Sequence, residues 1–207
     1  MIYDIGAVDK FDIKFQYKIQ QCGDQNYMGY PLIIAIAKGS SELVDLLLRN
    51  KSANINECEP ETGINSVWLA CLYGHCKIMN LLIKNGGDIY NTNHKGNNVL
   101  HLAVFKNHIQ IAKTLIYSGF NLELKNNDGM SALQLMCIHN RVEILRILLT
   151  YLLNNDLKKS YRDSILNQLN DKFQLCGMSF AIKTKHKECV QLLILAGSKC
   201  YFSMNDV

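Results

Sequence analysis

The chain has 207 residues, 48% hydrophobic and 19% charged, which is enough apolar surface to bury one sizeable core or one continuous array without covalent staples. Lys and Arg outnumber Asp and Glu by only 22 to 18, too small an excess to mark a nucleic-acid binder from charge alone. The eight cysteines are scattered along a long chain, so they read as reduced, intracellular thiols and not as a disulfide framework.

The first ten residues, MIYDIGAVDK, have neither a basic region nor an apolar run behind it. No later stretch reaches the roughly eighteen uncharged apolar residues of a membrane helix, so neither secretion nor membrane insertion is expected. Next comes FDIKFQYKIQ, residues 11–20, in which Phe11, Ile13, Phe15, Tyr17 and Ile19 alternate with polar residues. That is the period of a strand. Residues 1–24 therefore read as an extended arm, which either caps the first helical unit or pairs through Phe11–Ile19 with a strand of another molecule.

From residue 25 the period changes to that of helices. YPLIIAIAKGSSELVDLLLRN predicts a short helix opened by Pro31, a turn at Gly39 and a second helix with a leucine stripe. The same phrase returns at 65–90 (NSVWLACLYGHCKIMNLLIKNGGDIY), at 97–123 (NNVLHLAVFKNHIQIAKTLIYSGFNLE) and at 131–149 (SALQLMCIHNRVEILRILL). Ala35, Ala70, Ala103 and Met136 are equivalent and stand 35, 33 and 33 apart, which is the signature of a repeat array. Asn65, Asn98 and Ser131 are apt helix N-caps, and Asn107 and Asn140 replace glycine in the helix-ending turn because asparagine adopts left-handed geometry cheaply.

After the fourth copy the frame is interrupted. Residues 150–171 place Leu157, Tyr161, Ile165 and Leu169 four apart, which predicts an extension of the helix over 142–153 and then a second, amphipathic helix. A fifth copy, CGMSFAIKTKHKECVQLLILAGS, occupies 176–198 with Ala181 and His186 in frame and Lys185 where the turn residue belongs. It reads as a terminal unit that meets solvent on its outer face.

Taken together the units resemble ankyrin repeats, whose pattern is G-x-T-P-L-H-x-A-x-x-x-G-H followed by a leucine-rich helix and G-A-D-x-N. The third copy matches it best, through Gly96, Leu100, His101, Ala103 and His108. The resemblance implies an all-α ankyrin-repeat solenoid of stacked helix-turn-helix units with β-hairpin-like loops. The array spans 25–200, in units near 25–57, 58–90, 91–123, 124–156 and 170–200, with the helical insertion over 150–171 and a tail at 201–207.

The histidines are the first suspects for metal or acid-base chemistry. The resemblance gives four of them a structural role, because His101 stands at the TPLH position and His75, His108 and His186 at the G-H position, where the family's histidines bond backbone groups of neighbouring units. His94 and His139 fall outside that pattern, and neither has a Cys, Asp or Glu at ligand spacing. Cys71 and Cys76 flank His75, but C-x4-C without a second ligand pair is a poor zinc spacing. No phosphate loop, carboxylate pair or nucleophile elbow is present, so neither enzymatic activity nor a cofactor is expected.

What remains is surface. In the family, ligands lie on the concave side, formed by the hairpin tips and by the two residues before each G-H position. Carried over, this implies a protein-binding face of Tyr27, Lys38, Ile64, Leu72, Tyr73, His94, Lys95, Phe105, Lys106, Met130, Ile138 and His139. Its aromatic and aliphatic members would form a stripe rimmed by charge, as hot regions do; alternatively Leu72 and Ile138 pack against the next helix. Charge is uneven as well, since Glu57, Glu59 and Glu61 make an acidic loop whereas Lys172, Lys183, Lys185, Lys187 and Lys199 face only Glu188. That basic end is either a solvated capping face or a match for an acidic partner.

The expected function is thus a cytoplasmic adaptor or scaffold that binds a protein of unknown identity, with no nucleic acid. The rival is a constitutive structural subunit of a larger cytoskeletal or multi-protein assembly.

Overall fold

A computed structural model describes residues 31–50, 54–58 and 62–200. The N-terminal arm, Tyr27, and the tail at 201–207 lie outside the described residues. Among the described residues there are eleven α-helices, and extended pairing is limited to single antiparallel bridges, Thr92 with Asn98 and Lys125 with Ser131. The chain divides after Asp88 into two compact units.

The first unit holds α1 (Pro31–Ala37), α2 (Ser41–Arg49), α3 (Ser66–Leu72) and α4 (Cys76–Lys84). Each helix pair is a tight antiparallel hairpin, and the pairs stack with α1 on α3 and α2 on α4. The turns are made by Gly39 and Gly74, with φ of 72° and 74°, where a side chain would strain the backbone. Asn65 caps α3 by accepting from Trp68 N at 3.0 Å, while its Nδ2 donates to Asp88 O at 2.8 Å. Every residue of α3 is buried, so the helix between caps is fixed by packing on both sides and not by propensity.

The second unit holds α5 (Val99–Lys106), α6 (Ile109–Tyr117), α7 (Ala132–Ile138), α8 (Val142–Asn154), α9 (Lys159–Asn167), α10 (Gly177–Lys183) and α11 (Lys187–Leu195). The first helices form one row, α5 on α7 on α10, and the second helices another, α6 on α8 on α11. Asn98 and Ser131 cap α5 and α7 in full capping boxes, with His101 and Gln134 reaching back to the cap nitrogens. Asn107 and Asn140 take left-handed φ of 59° and 53° in the turns.

The hairpin loops of this unit are tied together by asparagine. Asn93 Oδ1 accepts from Lys95 N and Asn97 N, Asn126 Oδ1 from Asp128 N and Met130 N, and Asn170 Oδ1 from Lys172 N and Phe173 N. Each loop then bonds its neighbour, Asn126 Nδ2 to Asn97 Oδ1 at 2.9 Å and Asn170 Nδ2 to Asp128 O at 2.9 Å. The side chain thus does the work of a backbone turn and of an inter-repeat tie at once.

The insertion is fastened to the repeats by α9 and the loop after it. Ser164 Oγ donates to Glu123, Gln168 Nε2 to Glu123 O at 2.8 Å, and Lys125 Nζ to Leu169 O at 2.8 Å. On the inner side of α9, Ile165 and Leu166 are buried. Helix α10 approaches α7 so closely that a Cβ at Gly177 would lie 2.1 Å from Leu133 Cδ2, which explains a glycine at the opening of the last copy.

Candidate protein-binding surface

The residues expected to face a ligand separate into those that are open and those that are not. Ile64, Leu72 and Met130 are 4%, 4% and 2% exposed, so they belong to the core and not to a binding face. The physical reason is position. Ile64 and Met130 immediately precede the N-caps Asn65 and Ser131, where an apolar residue packs back on the first helical turn. Met130 is also held at three atoms, because its N donates to Asn126, its O accepts from His101 Nε2, and its Sδ accepts from Asn170 Nδ2. Leu72 closes the fully buried α3.

In the first unit Lys38 is exposed and Tyr73 half-buried. Tyr73 follows the last turn of α3, and its ring stacks on His75 with centroids 6.0 Å apart and planes at 23°. The His75 ring in turn lies where a Cβ at Gly39 would be, 2.9 Å from Cε1, so Gly39 serves both the turn and the seating of this histidine.

In the second unit His94 and Lys95 are exposed on a hairpin tip, and Phe105, Lys106, Ile138 and His139 are half-buried at the ends of α5 and α7. Phe105 and His139 meet edge to face, with centroids 5.5 Å apart and planes at 79°. Burial, reinforced by the charges of Arg141 and His186, pushes the His139 pKa below its ordinary value. A neutral, edge-packed imidazole beside a phenyl ring forms a small apolar floor, with Lys106 at its border.

Arg141 holds this floor in place, and sequence reasoning did not single it out. It occupies the position that His75, His108 and His186 fill in three other copies, after the left-handed Asn140, and its Nε and Nη2 donate to Val104 O at 3.0 Å and Phe105 O at 2.7 Å. His186 does the equivalent in the next repeat, bonding Cys137 O at 2.8 Å. His186 and Arg141 are thus inter-repeat clamps. His101 is a third kind of tie, with Nδ1 accepting from Asn98 N and Nε2 donating to Met130 O at 2.9 Å. Burial lowers its pKa to about 4, so it is neutral at physiological pH.

A second cluster arises from residues far apart in the chain. Tyr117 meets Tyr151 edge-on at 5.3 Å, and Tyr90 stacks on the buried Phe120 at 5.1 Å. Tyr90 and Tyr117 are half exposed.

Burial raises the thiol pKa values of Cys71 and Cys137, which makes them poor nucleophiles. Among the described residues no three His, Cys, Asp or Glu side chains converge as a metal site. None of the described helices is long and apolar enough to cross a membrane.

The sequence model described as "Ankyrin repeats (3 copies)" matches in overlapping windows, residues 13–93, 32–126, 67–159 and 100–204, which together run from 13 to 204. No curated protein matches the chain.

Proposed function

The chain belongs to the ankyrin-repeat family, and from that membership we propose that it is an adaptor or scaffold that captures a protein partner on the concave positions of its repeats. Ankyrin repeats are in general protein–protein interaction modules, and the family is typically non-catalytic. The observation that carries the reading is Phe105. A large apolar ring is kept half open at a position the repeat leaves free to vary, edge-packed on His139 and with its backbone clamped by Arg141. A preorganised aromatic anchor of this kind loses little entropy when it is covered.

Lys106, Ile138, His139, His94 and Lys95 would complete the contact on the second unit. Lys38 and Tyr73 are the corresponding open positions of the first, and Tyr27 is proposed on the family pattern alone. A cytoplasmic setting is supported by the free thiols of all seven described cysteines. A permanent structural subunit is the second reading. It is favoured by open apolar side chains in each unit, Leu43 and Leu46 at 52% and 54% in the first and Ile194 and Leu195 at 61% and 82% in the second.

Phe105→Ala tests the first reading. It should raise the Kd for the partner captured by the wild type roughly 30-fold, about 2 kcal/mol, with helical circular dichroism unchanged. Unchanged capture by the folded variant would rule the floor out as the contact. A chain that is a well-behaved monomer on its own supports the adaptor, whereas one that is soluble only with bound companions supports the subunit.

A further inference from the structure

The last helix pair carries a turn that the other copies do not prepare for. At the equivalent position the chain uses Gly39, Gly74, Asn107 and Asn140, the residue types that accept left-handed backbone. The fifth copy uses Lys185, with φ of 60°. A long, unbranched side chain has no local bond that offsets this conformation, so lysine makes the turn at a cost that glycine or asparagine would avoid. Strain retained at an exposed position points to a role for the side chain that occupies it.

The surroundings say what that role is. Lys183, Lys185 and Lys187 are all exposed and flank one tight turn. The turn is rigid, with Lys185 N bonded to Ile182 O at 3.0 Å, His186 N to Ala181 O at 3.0 Å, and the His186 ring fastened to both Thr184 Oγ1 and Cys137 O. The acidic neighbour in this segment, Glu188, is turned to Arg146 on α8. The wider setting has the same sign. Residues 89–200 contain fourteen Lys and Arg against seven Asp and Glu, whereas residues 31–88 contain five against six.

We propose that the Lys183–Lys187 turn is a docking knuckle for an acidic segment of a partner protein, and that lysine is kept at position 185, at a cost to the turn, for that contact. The proposal rests on the reading of the chain as a protein-binding module. It specifies the chemistry of the partner at one end of the array. Three lysines within five residues of one rigid turn concentrate positive charge there, and Ile182, 38% exposed on the preceding helical turn, gives an apolar residue of the same segment somewhere to pack. A nucleic-acid site would call for arginine forks and stacking aromatics, and the turn has neither.

The test uses the full chain and a fluorescein-labelled deca-glutamate peptide, read by anisotropy. The wild type should bind with an affinity that falls steeply as salt rises. The double variant Lys183→Glu with Lys187→Glu should lose about tenfold or more in affinity. Lys185→Gly is the deciding variant. It should raise the Tm by about 2 °C by relieving the backbone while weakening peptide binding severalfold. Phe105→Ala should leave peptide binding unchanged, so failure of the knuckle and failure of the Phe105 surface are told apart. Peptide binding that is indifferent to all three lysines would overturn the proposal. So would tighter binding of a single-stranded oligonucleotide than of the peptide at equal salt, lost in the same variants.

Discussion

The third and fifth repeats build the same helix pair from unlike residues. In the third, Asn98 and His101 close a capping box, His101 reaches on to Met130 O, and six of the eight residues of α5 are buried. In the fifth, Cys176 offers the backbone no side-chain cap, a lysine makes the turn, and Ile182, Ile194 and Leu195 lie open. The third repeat commits its polar side chains to ties within the stack. The fifth packs on the fourth through α10 and α11 and turns its charged side chains outward. The lesson is that departures from the repeat pattern have different meanings in the two places. Where Asn107 replaces glycine the turn is conserved by other means, and where Lys185 does so the turn is made at a cost.

The largest test of this contrast is acid. The pKa of buried His101 in the folded chain, about 4, lies below the ordinary 6.5, so the folded form binds its proton less readily than the unfolded form. Its stabilising tie is therefore complete above pH 6.5 and is lost progressively as pH falls towards 4, by a total of about 3 kcal/mol. Urea unfolding at pH 7.5 and 4.5 should show this loss in the wild type. His101→Gln should show a smaller loss, because the fourth repeat uses Gln134 in the same capping box and Gln134 Nε2 makes the same onward bonds, to Gln168 O and Leu175 O. An equal acid loss in both proteins would show that His101 is not the group responsible.

Next in size is the close approach that seats the fifth repeat on the fourth. Gly177→Ala would place a methyl group 2.1 Å from Leu133 Cδ2, so one of the two helices must shift. The expected cost is about 1–3 kcal/mol, read as a lower urea midpoint with unchanged slope. Because alanine favours helix over glycine, a gain in stability would show that Leu133 simply rotates away and that the fit between α7 and α10 is loose.

Most of the repeat frame was legible in the sequence, because it is written locally. The helix pairs follow from apolar spacing, Asn65, Asn98 and Ser131 act as caps because a side-chain oxygen at the first turn suffices, and Asn107 and Asn140 take the left-handed turn. The surface was less legible. Phe105 and Leu72 look alike in a sequence, and only the packing of neighbouring helices decides that one is half open and the other closed. Ile64 and Met130 mislead for a related reason, since a loop residue just before an N-cap is exposed by pattern and buried by the loop's return onto its helix. Arg141 stands in the register of the G-H histidines, but its residue type hides a role that is set by carbonyls 36 and 37 residues away, and the tyrosine cluster gives little signal because Tyr117 and Tyr151 come from different repeats.

The smallest effect is the most informative about the fifth repeat. Arg146 on α8 pairs with Glu188 on α11, with about half of each side chain exposed, so the pair should contribute no more than about 0.5 kcal/mol in a double-mutant cycle and less at high salt. Its larger consequence is electrostatic. Arg146→Ala would release a carboxylate one residue from Lys187, lowering the local positive charge without touching a lysine, and should weaken deca-glutamate binding about twofold. Glu188→Gln should do the reverse and tighten it. Opposite shifts from the two halves of one ion pair would separate a field effect at the knuckle from any loosening of the α8–α11 contact, because loosening would move both variants the same way.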